Sequence, residues 1–452
     1  MQNTFRLLGL LLLSGTAYSS DIRDLTIINI DNIGPNKILE IKNNSTVDWW
    51  VEMGDKMIVA VGNDQMDKLS KSVTVLNTLK DVDVDNLAFQ TLGHCDHSGL
   101  DEHLHSQLDV VFANNSSQLI DLKNFVNKNQ VYGHDSIGPF SKNKVLSYQY
   151  ANRQNQELLR GNSDVQLLVD KVDADRWFSQ VEYLSSLDRM LAADLVIAGD
   201  WLETKFEDLG FVTSRVSLHA NYRGSNVLGF KQGTTRPDDW YVVGAHLDSR
   251  NQTWNNALPS PGAEDNASGC SGVLEVANVI SQYQTDASIL FMCFIEEESG
   301  LLGSKDVVTQ LSNDGDISKV KTMLNMDMIS YRLDDRNVAI AGTNTPSYQS
   351  LAETVAANGA LYSDIDWQIS LNMCCTDFLS FSNAGIPAVT SNQPDIGTYF
   401  GYHTVNDLSE NLDPVLGSGI VKANLATLIN MVGVDFNSID LIFMNSFDSI
   451  NP

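Results

Sequence analysis

A set of metal-ligating and proton-transferring side chains sits where apolar runs end: His246, Asp248, Asp265, Glu297, Glu298, Asp327 and His403. One run, 240–249, reads WYVVGAHLDS, and another, 288–300, reads SILFMCFIEEESG. Between them lies the Gly/Pro-rich turn PGAEDNASG over 261–269. Imidazole nitrogen and carboxylate oxygen are the donors that zinc accepts, and a catalytic zinc keeps one position open for water. Two imidazoles and three carboxylates suit a pair of divalent cations. Such a pair polarises a carbonyl and activates water, and a carboxylate left off the metals serves as base. Singly these residues read more plainly: Asp265 as a turn or cap residue before a helix, His403 as a loop histidine, Glu296 to Glu298 as a solvated run. Their number and order carry the functional reading.

Successive residues on a strand face opposite ways. Glu297 and Glu298 can therefore serve one centre only from the turn that leaves the strand, and Gly300 and Gly303 favour a turn there. Glu296 is expected to be an ordinary strand residue. Continuous apolar runs bounded by turn residues predict buried, parallel-type strands, and ligands bind beyond the carboxyl ends of such strands. After 173–209, which reads as helices, strands are predicted at 226–231, 240–248, 288–296, 322–328, 337–341 and 387–391, with a hairpin over 233–239. Helices are predicted at 268–283, 301–312, 345–358, 376–384 and 418–432. This alternation predicts an α/β fold: a mostly parallel mixed sheet covered by helices on both faces. A smaller β-rich or mixed N-terminal domain precedes it, with strands at 56–61 and 109–113, a helix over 64–73 and a polar linker over 142–168.

Residues 1–20 have Arg6, a short leucine run and then small residues, the pattern of a secretory signal peptide. The expected organisation is 1–20 signal peptide, 21–170 pro-region or accessory domain, 171–440 catalytic domain and 441–452 tail. The expected location is extracellular or periplasmic. No later run reaches the roughly 18 apolar residues that a membrane span needs, so no membrane partner is expected once the signal is cleaved. A net charge of −28 repels phosphate backbones and excludes nucleic acid as the expected partner.

Five cysteines (95, 270, 293, 374, 375) are too few for a disulfide scaffold. Cys293 reads as a small buried hydrophobe in a core strand. The adjacent Cys374 and Cys375 leave open both a vicinal bridge and a bridge to elsewhere. The clusters around His94 to His97 and His103 to His105 match no zinc-finger spacing and read as solvated polar loop.

The segments HLDS at 246–249, PGAEDNASG at 261–269, EESGLLGS at 297–304, NMDM at 325–328 and YHT at 402–404 together resemble the M28 zinc aminopeptidases, closest to secreted bacterial leucyl aminopeptidases. The resemblance spans about 173–433 and implies a zinc-peptidase fold with two zinc ions per chain. It implies that Asp265 bridges both ions, that His246 and Asp327 complete one site, and that Glu298 and His403 complete the other. Glu297 is implied as general base, Asp248 as the residue orienting His246, and the Asp265–Asn266 peptide as cis. One departure stands out. A family disulfide joins cysteines four residues apart; Cys375 matches the second, but Leu371 stands at the first.

The implied substrates are peptide or protein N-termini, and Met328, Met373 and Phe400 or Tyr402 either line a Leu-like pocket or belong to the core. A monomer is favoured. A carboxypeptidase or glutaminyl cyclase on the same fold, and an inactive binding module, are the rival readings. The complete set of ligand types argues against both the single-zinc cyclase and the inactive module.

Overall fold

A computed structural model describes residues 21–31, 33–61, 73–91, 109–113, 117–124, 137–150 and 161–439. The signal peptide, nearly all of the helix expected over 64–73, the histidine clusters with Cys95, and the 441–452 tail lie outside these residues. The first elements are β1 (Ile22–Asn29), α1 (Pro35–Lys42), β2 (Val47–Gly54), β3 (Lys56–Val61), β4 (Thr74–Asp83), β5 (Leu87–Thr91), β6 (Asp109–Ala113), β7 (Ser117–Asp121), β8 (Ile137–Pro139) and β9 (Lys144–Gln149). Then come α2 (Ser163–Val169), α3 (Ala174–Ser185), α4 (Ala192–Asp208), β10 (Val212–Val216), β11 (Asn226–Lys231), β12 (Arg236–His246), α5 (Ser268–Ile280), β13 (Tyr283–Thr285) and β14 (Ala287–Phe294). The chain continues with α6 (Leu302–Asn313), β15 (Val320–Met326), β16 (Val338–Gly342), α7 (Gln349–Tyr362), β17 (Asp366–Ser370), α8 (Phe378–Asn383), β18 (Ala388–Asn392), α9 (Pro414–Val432) and β19 (Val434–Ile439).

Thirteen strands form one sheet in the order β10-β11-β14-β12-β15-β18-β16-β17-β9-β2-β3-β1-β4. Its centre is parallel: β12 pairs with β14 and β15, and β15 with β18. Both faces of this centre are buried, which is why the strands read as unbroken apolar runs. Val243, Ala245, Phe291, Cys293 and Leu324 face the core made by α3, α4, α5, α7 and α9. Their strand neighbours Val242, Leu290, Met292 and Met323 face the core with Val307 of α6 and Phe378 and Phe381 of α8. The fold is the expected α/β sheet covered on both faces.

Several expectations change. There is no hairpin over 233–239, because β11 runs antiparallel to β14, which separates it from β12. The short, partly polar strands β10 and β17 give too weak an apolar run to be read from sequence. The expected linker contains β9, which pairs parallel with β2 and antiparallel with β17, so the N-terminal strands and the central sheet are continuous. Polar residues dominate that stretch, but Val145, Leu146 and Tyr148 pack inward. Helix α9 is long and apolar enough to cross a membrane, contrary to the expectation that no run would be. Its apolarity is explained by packing, since 78% of its most apolar window is buried among the other helices.

Candidate metal centre

The carboxyl ends of β12, β14 and β15 lie side by side, His246 level with Phe294 and Gly244 level with Asn325. His246 is the last residue of β12, Asp327 follows β15, and Glu297 and Glu298 lie in the turn after β14. Asp265 comes from the irregular turn before α5, and its peptide bond to Asn266 is cis, as the resemblance implies. His403 arrives on a loop whose placement is fixed by its carbonyl, which accepts the Gln252 N–H at 2.8 Å.

The expected ligands are all buried and all converge. His246 Nε2 lies 3.1 Å from Asp265 Oδ1 and 3.5 Å from Asp327 Oδ1. On the other side of Asp265, His403 Nε2 lies 3.0 Å from Asp265 Oδ2 and 3.2 Å from Glu298 Oε2. Within each triplet, His246–Asp265–Asp327 and Asp265–Glu298–His403, the donor atoms lie within 4.8 Å of one another. Asp265 belongs to both. Buried carboxylates this close repel strongly at low local dielectric, and with two imidazoles beside them the donor set fits two divalent cations. Glu297, fully buried, adjoins His246 and Glu298 in a third grouping.

Neighbouring charges dominate the electrostatics. Burial opposes charging His246, yet Glu297 and Asp327, with contacts to Asp248 and Asp265, hold its pKa well above the usual imidazole range. Burial pushes Asp265 upward, but hydrogen bonds from His246 and His403 hold it far below the usual carboxylate range. At Asp377 the balance goes the other way: burial and then the Glu297 charge push its carboxyl well up, outweighing the His246 charge and a Ser304 hydrogen bond.

Asp248 has several partners besides His246. His246 Nδ1 lies 3.1 Å from the Asp248 backbone carbonyl and 3.6 Å from its carboxylate. One carboxylate oxygen accepts the Glu297 N–H at 3.1 Å, and the other accepts Arg223 Nη2 at 3.0 Å. Glu296 departs from the strand role expected of it. β14 ends at Phe294, Glu296 has φ +53°, and its two oxygens hold Arg223 at 2.8 Å each. Non-glycine residues with positive φ cluster around the centre, at Glu296, Leu301, Met328, Cys375 and His403. Each is strained and persists where its surroundings over-determine it.

Three further groups escaped sequence reasoning. Arg189, fully buried, donates to the carbonyls of Leu247, Leu184, Pro261 and Gly262, clamping the loops that carry His246 and Asp265. Burial lowers its pKa to about 10. Asp407 accepts the N–H groups of Glu264 and Asp265 at 2.8 and 3.0 Å and the Tyr399 hydroxyl at 2.7 Å. Arg250 reaches Glu298 and His403. Arginine gives no periodic signal, and its partners here come from segments distant in sequence. Asp407, a carboxylate four residues after His403, was the most findable.

The cysteines are also corrected. Cys293 is not a lone hydrophobe but is paired with Cys270 of α5, Cα atoms 5.9 Å apart. Of the alternatives left open for Cys374 and Cys375, the structure has the vicinal pair. Met328 and Met373 are buried in the two cores, Tyr402 stacks on the His403 ring with centroids 3.7 Å apart, and Phe400 is exposed.

Residues 226–427 match the model of peptidase family M28. A Trichophyton verrucosum protein named "Probable leucine aminopeptidase" is 27% identical over 297 residues, 60% of this chain and 78% of that protein. A Pyrenophora teres f. teres protein named "Probable zinc metalloprotease" is 26% identical over 229 residues, 43% of this chain; the chain thus spans 48% of that relative's length. Among solved structures, the Legionella pneumophila LapA aminopeptidase superposes with a TM-score of 0.54 at 20% identity, covering 76% of this chain and 98% of the other. That likeness establishes the shared fold.

Proposed function

Given that residues 226–427 form a peptidase family M28 domain, we propose that this chain is a zinc-dependent aminopeptidase that removes apolar, Leu-like residues from peptide N-termini. The observation that carries this reading is the pair of buried donor triplets sharing Asp265. Two zinc ions, held by His246, Asp265 and Asp327 and by Asp265, Glu298 and His403, would supply Lewis acidity for the scissile carbonyl and for water. Glu297, buried beside both triplets, takes the proton from the attacking water and returns it to the leaving amine. Asp248 positions Glu297 through its backbone N–H. The names of the leucine aminopeptidase relatives support the side-chain preference.

We also propose export, on the strength of the pattern in residues 1–20, action as a monomer, and a retained accessory role for residues 21–150. The sheet that runs unbroken through β9 supports retention. Mass spectrometry of the mature protein tests it: an N-terminus near residue 21 supports retention, and one near 161 makes this unit a removed pro-region.

A panel of aminoacyl-p-nitroanilides, assayed with and without chelator and beside N-blocked peptides, tests the activity. Chelator-sensitive release from Leu-p-nitroanilide is expected. Cleavage of N-blocked peptides from their carboxyl ends would instead make the chain a carboxypeptidase.

A further inference from the structure

The two triplets are not equivalent, because one of them already holds a cation. Arg250 follows the HLDS segment, and its side chain is only 9% exposed. Its Nε lies 3.0 Å from Glu298 Oε2, and its Nη2 lies 2.7 Å from His403 Nδ1. A guanidinium only donates hydrogen bonds. Arg250 Nε also lies 3.4 Å from His403 Nε2, so the guanidinium sets its donors against both nitrogens of the ring. Arg250 thus opposes a divalent cation at this triplet twice, by pairing with Glu298 and by setting a fixed positive charge against the His403 ring.

The guanidinium also has somewhere to go. The guanidinium already lies over the ring of Trp254, 41% exposed, with Cζ 5.5 Å from the centroid; Arg223 Cζ lies 5.4 Å from the same ring, and closer approach to the indole would hold a withdrawn Arg250 by cation–π attraction.

We propose that Arg250 is an internal competitor for the second cation. The His246–Asp265–Asp327 triplet fills first, and Asp265–Glu298–His403 fills only as Arg250 withdraws toward Trp254. This rests on the two-cation reading of the centre. Arg250 acts on the ligands and is a positioning residue.

Calorimetric titration of the metal-free full chain with zinc tests this without reference to activity. The wild type is expected to bind in two steps of unequal affinity. Arg250→Ala should tighten the second step by about tenfold or more, the scale expected for removing one like charge at short range, and leave the first unchanged. Arg250→Gln, which keeps donors but loses the charge, should tighten it partway and stands in if the alanine variant misfolds. Arg250→Lys should keep the second step weak. Two steps with wild-type affinities in both neutral variants would overturn the role of Arg250 and leave the two-cation reading intact. A single bound ion in every protein would overturn both.

Discussion

The carboxylate of Asp248 accepts the backbone N–H of Glu297 at 3.1 Å, which ties the turn after β14 to the loop after β12. The proposed base is thus aimed by a residue that also faces the His246 ring, and Arg223 holds that residue from behind. Asp248→Asn keeps the shape but sets an amide donor against one of two donors. We expect kcat for Leu-p-nitroanilide to fall about 10–100-fold, the usual cost of losing such a partner, with KM changed less. Unchanged kcat would sink the positioning role.

Glu297→Gln removes the base and keeps the fold. Turnover should fall by about 10²–10⁴-fold, while zinc content by elemental analysis stays at the wild-type level. Near-normal turnover would dismiss Glu297 as the base, and loss of zinc would make it a ligand.

Arg189→Met strands the carbonyls of Leu184, Leu247, Pro261 and Gly262 in a dry interior and removes one buried positive charge from the surroundings of Asp248, Asp265 and Asp407. Breaking a buried charge set in this way costs about 3–5 kcal/mol. Urea unfolding of the metal-free protein measures it, and a loss below about 1 kcal/mol would contradict the clamp.

Glu275 on α5 is fully buried and held by Arg176 through contacts of 2.6 and 2.7 Å. Burial raises its pKa above the ordinary 4.5, while Arg176 and the Asp173 N–H pull it down. The folded state therefore favours the protonated acid. Its contribution is most favourable below pH 4.5 and declines as pH rises through the raised folded value. Arg176→Ala removes what restrains the shift. The variant should match wild type in acid and lose stability progressively toward neutrality, by about 1–3 kcal/mol once the exposed guanidinium is discounted for screening. Paired urea titrations at pH 5 and pH 8 check this, and an equal loss at both values would refute it.

The sequence showed clearly where packing left a periodic or continuous trace. β12, β14 and β15 were legible because both of their faces are buried, and α5 because Val273, Val276, Ala277 and Ile280 recur at helical spacing. The donors His246, Asp265, Glu297, Glu298, Asp327 and His403 were legible because each ends such an element or sits in a glycine-rich turn beside one. Arg189, Arg223 and Arg250 were not: their partners are backbone carbonyls, carboxylates and the His403 ring, mostly from remote segments, and only the folded chain brings these together. Glu296 was misjudged because a two-residue difference in where β14 ends turns a strand side chain into an anchor for Arg223. β9 was missed because polar residues surround it, although its Leu146 and Tyr148 are core residues.

The strand β9 also dictates an order of assembly. It is complete by Gln149, yet its antiparallel neighbour β17 begins at Asp366. During synthesis the N-terminal strands can pair among themselves and then present β9 as an open edge while more than half of the remaining chain is still being made. An unpaired edge is a template for any passing strand, and a closure over so long a loop is entropically slow. This long-delayed join is therefore a vulnerable interval of the sheet, and a point at which a chaperone, or a slower ribosome, would improve the yield of native protein.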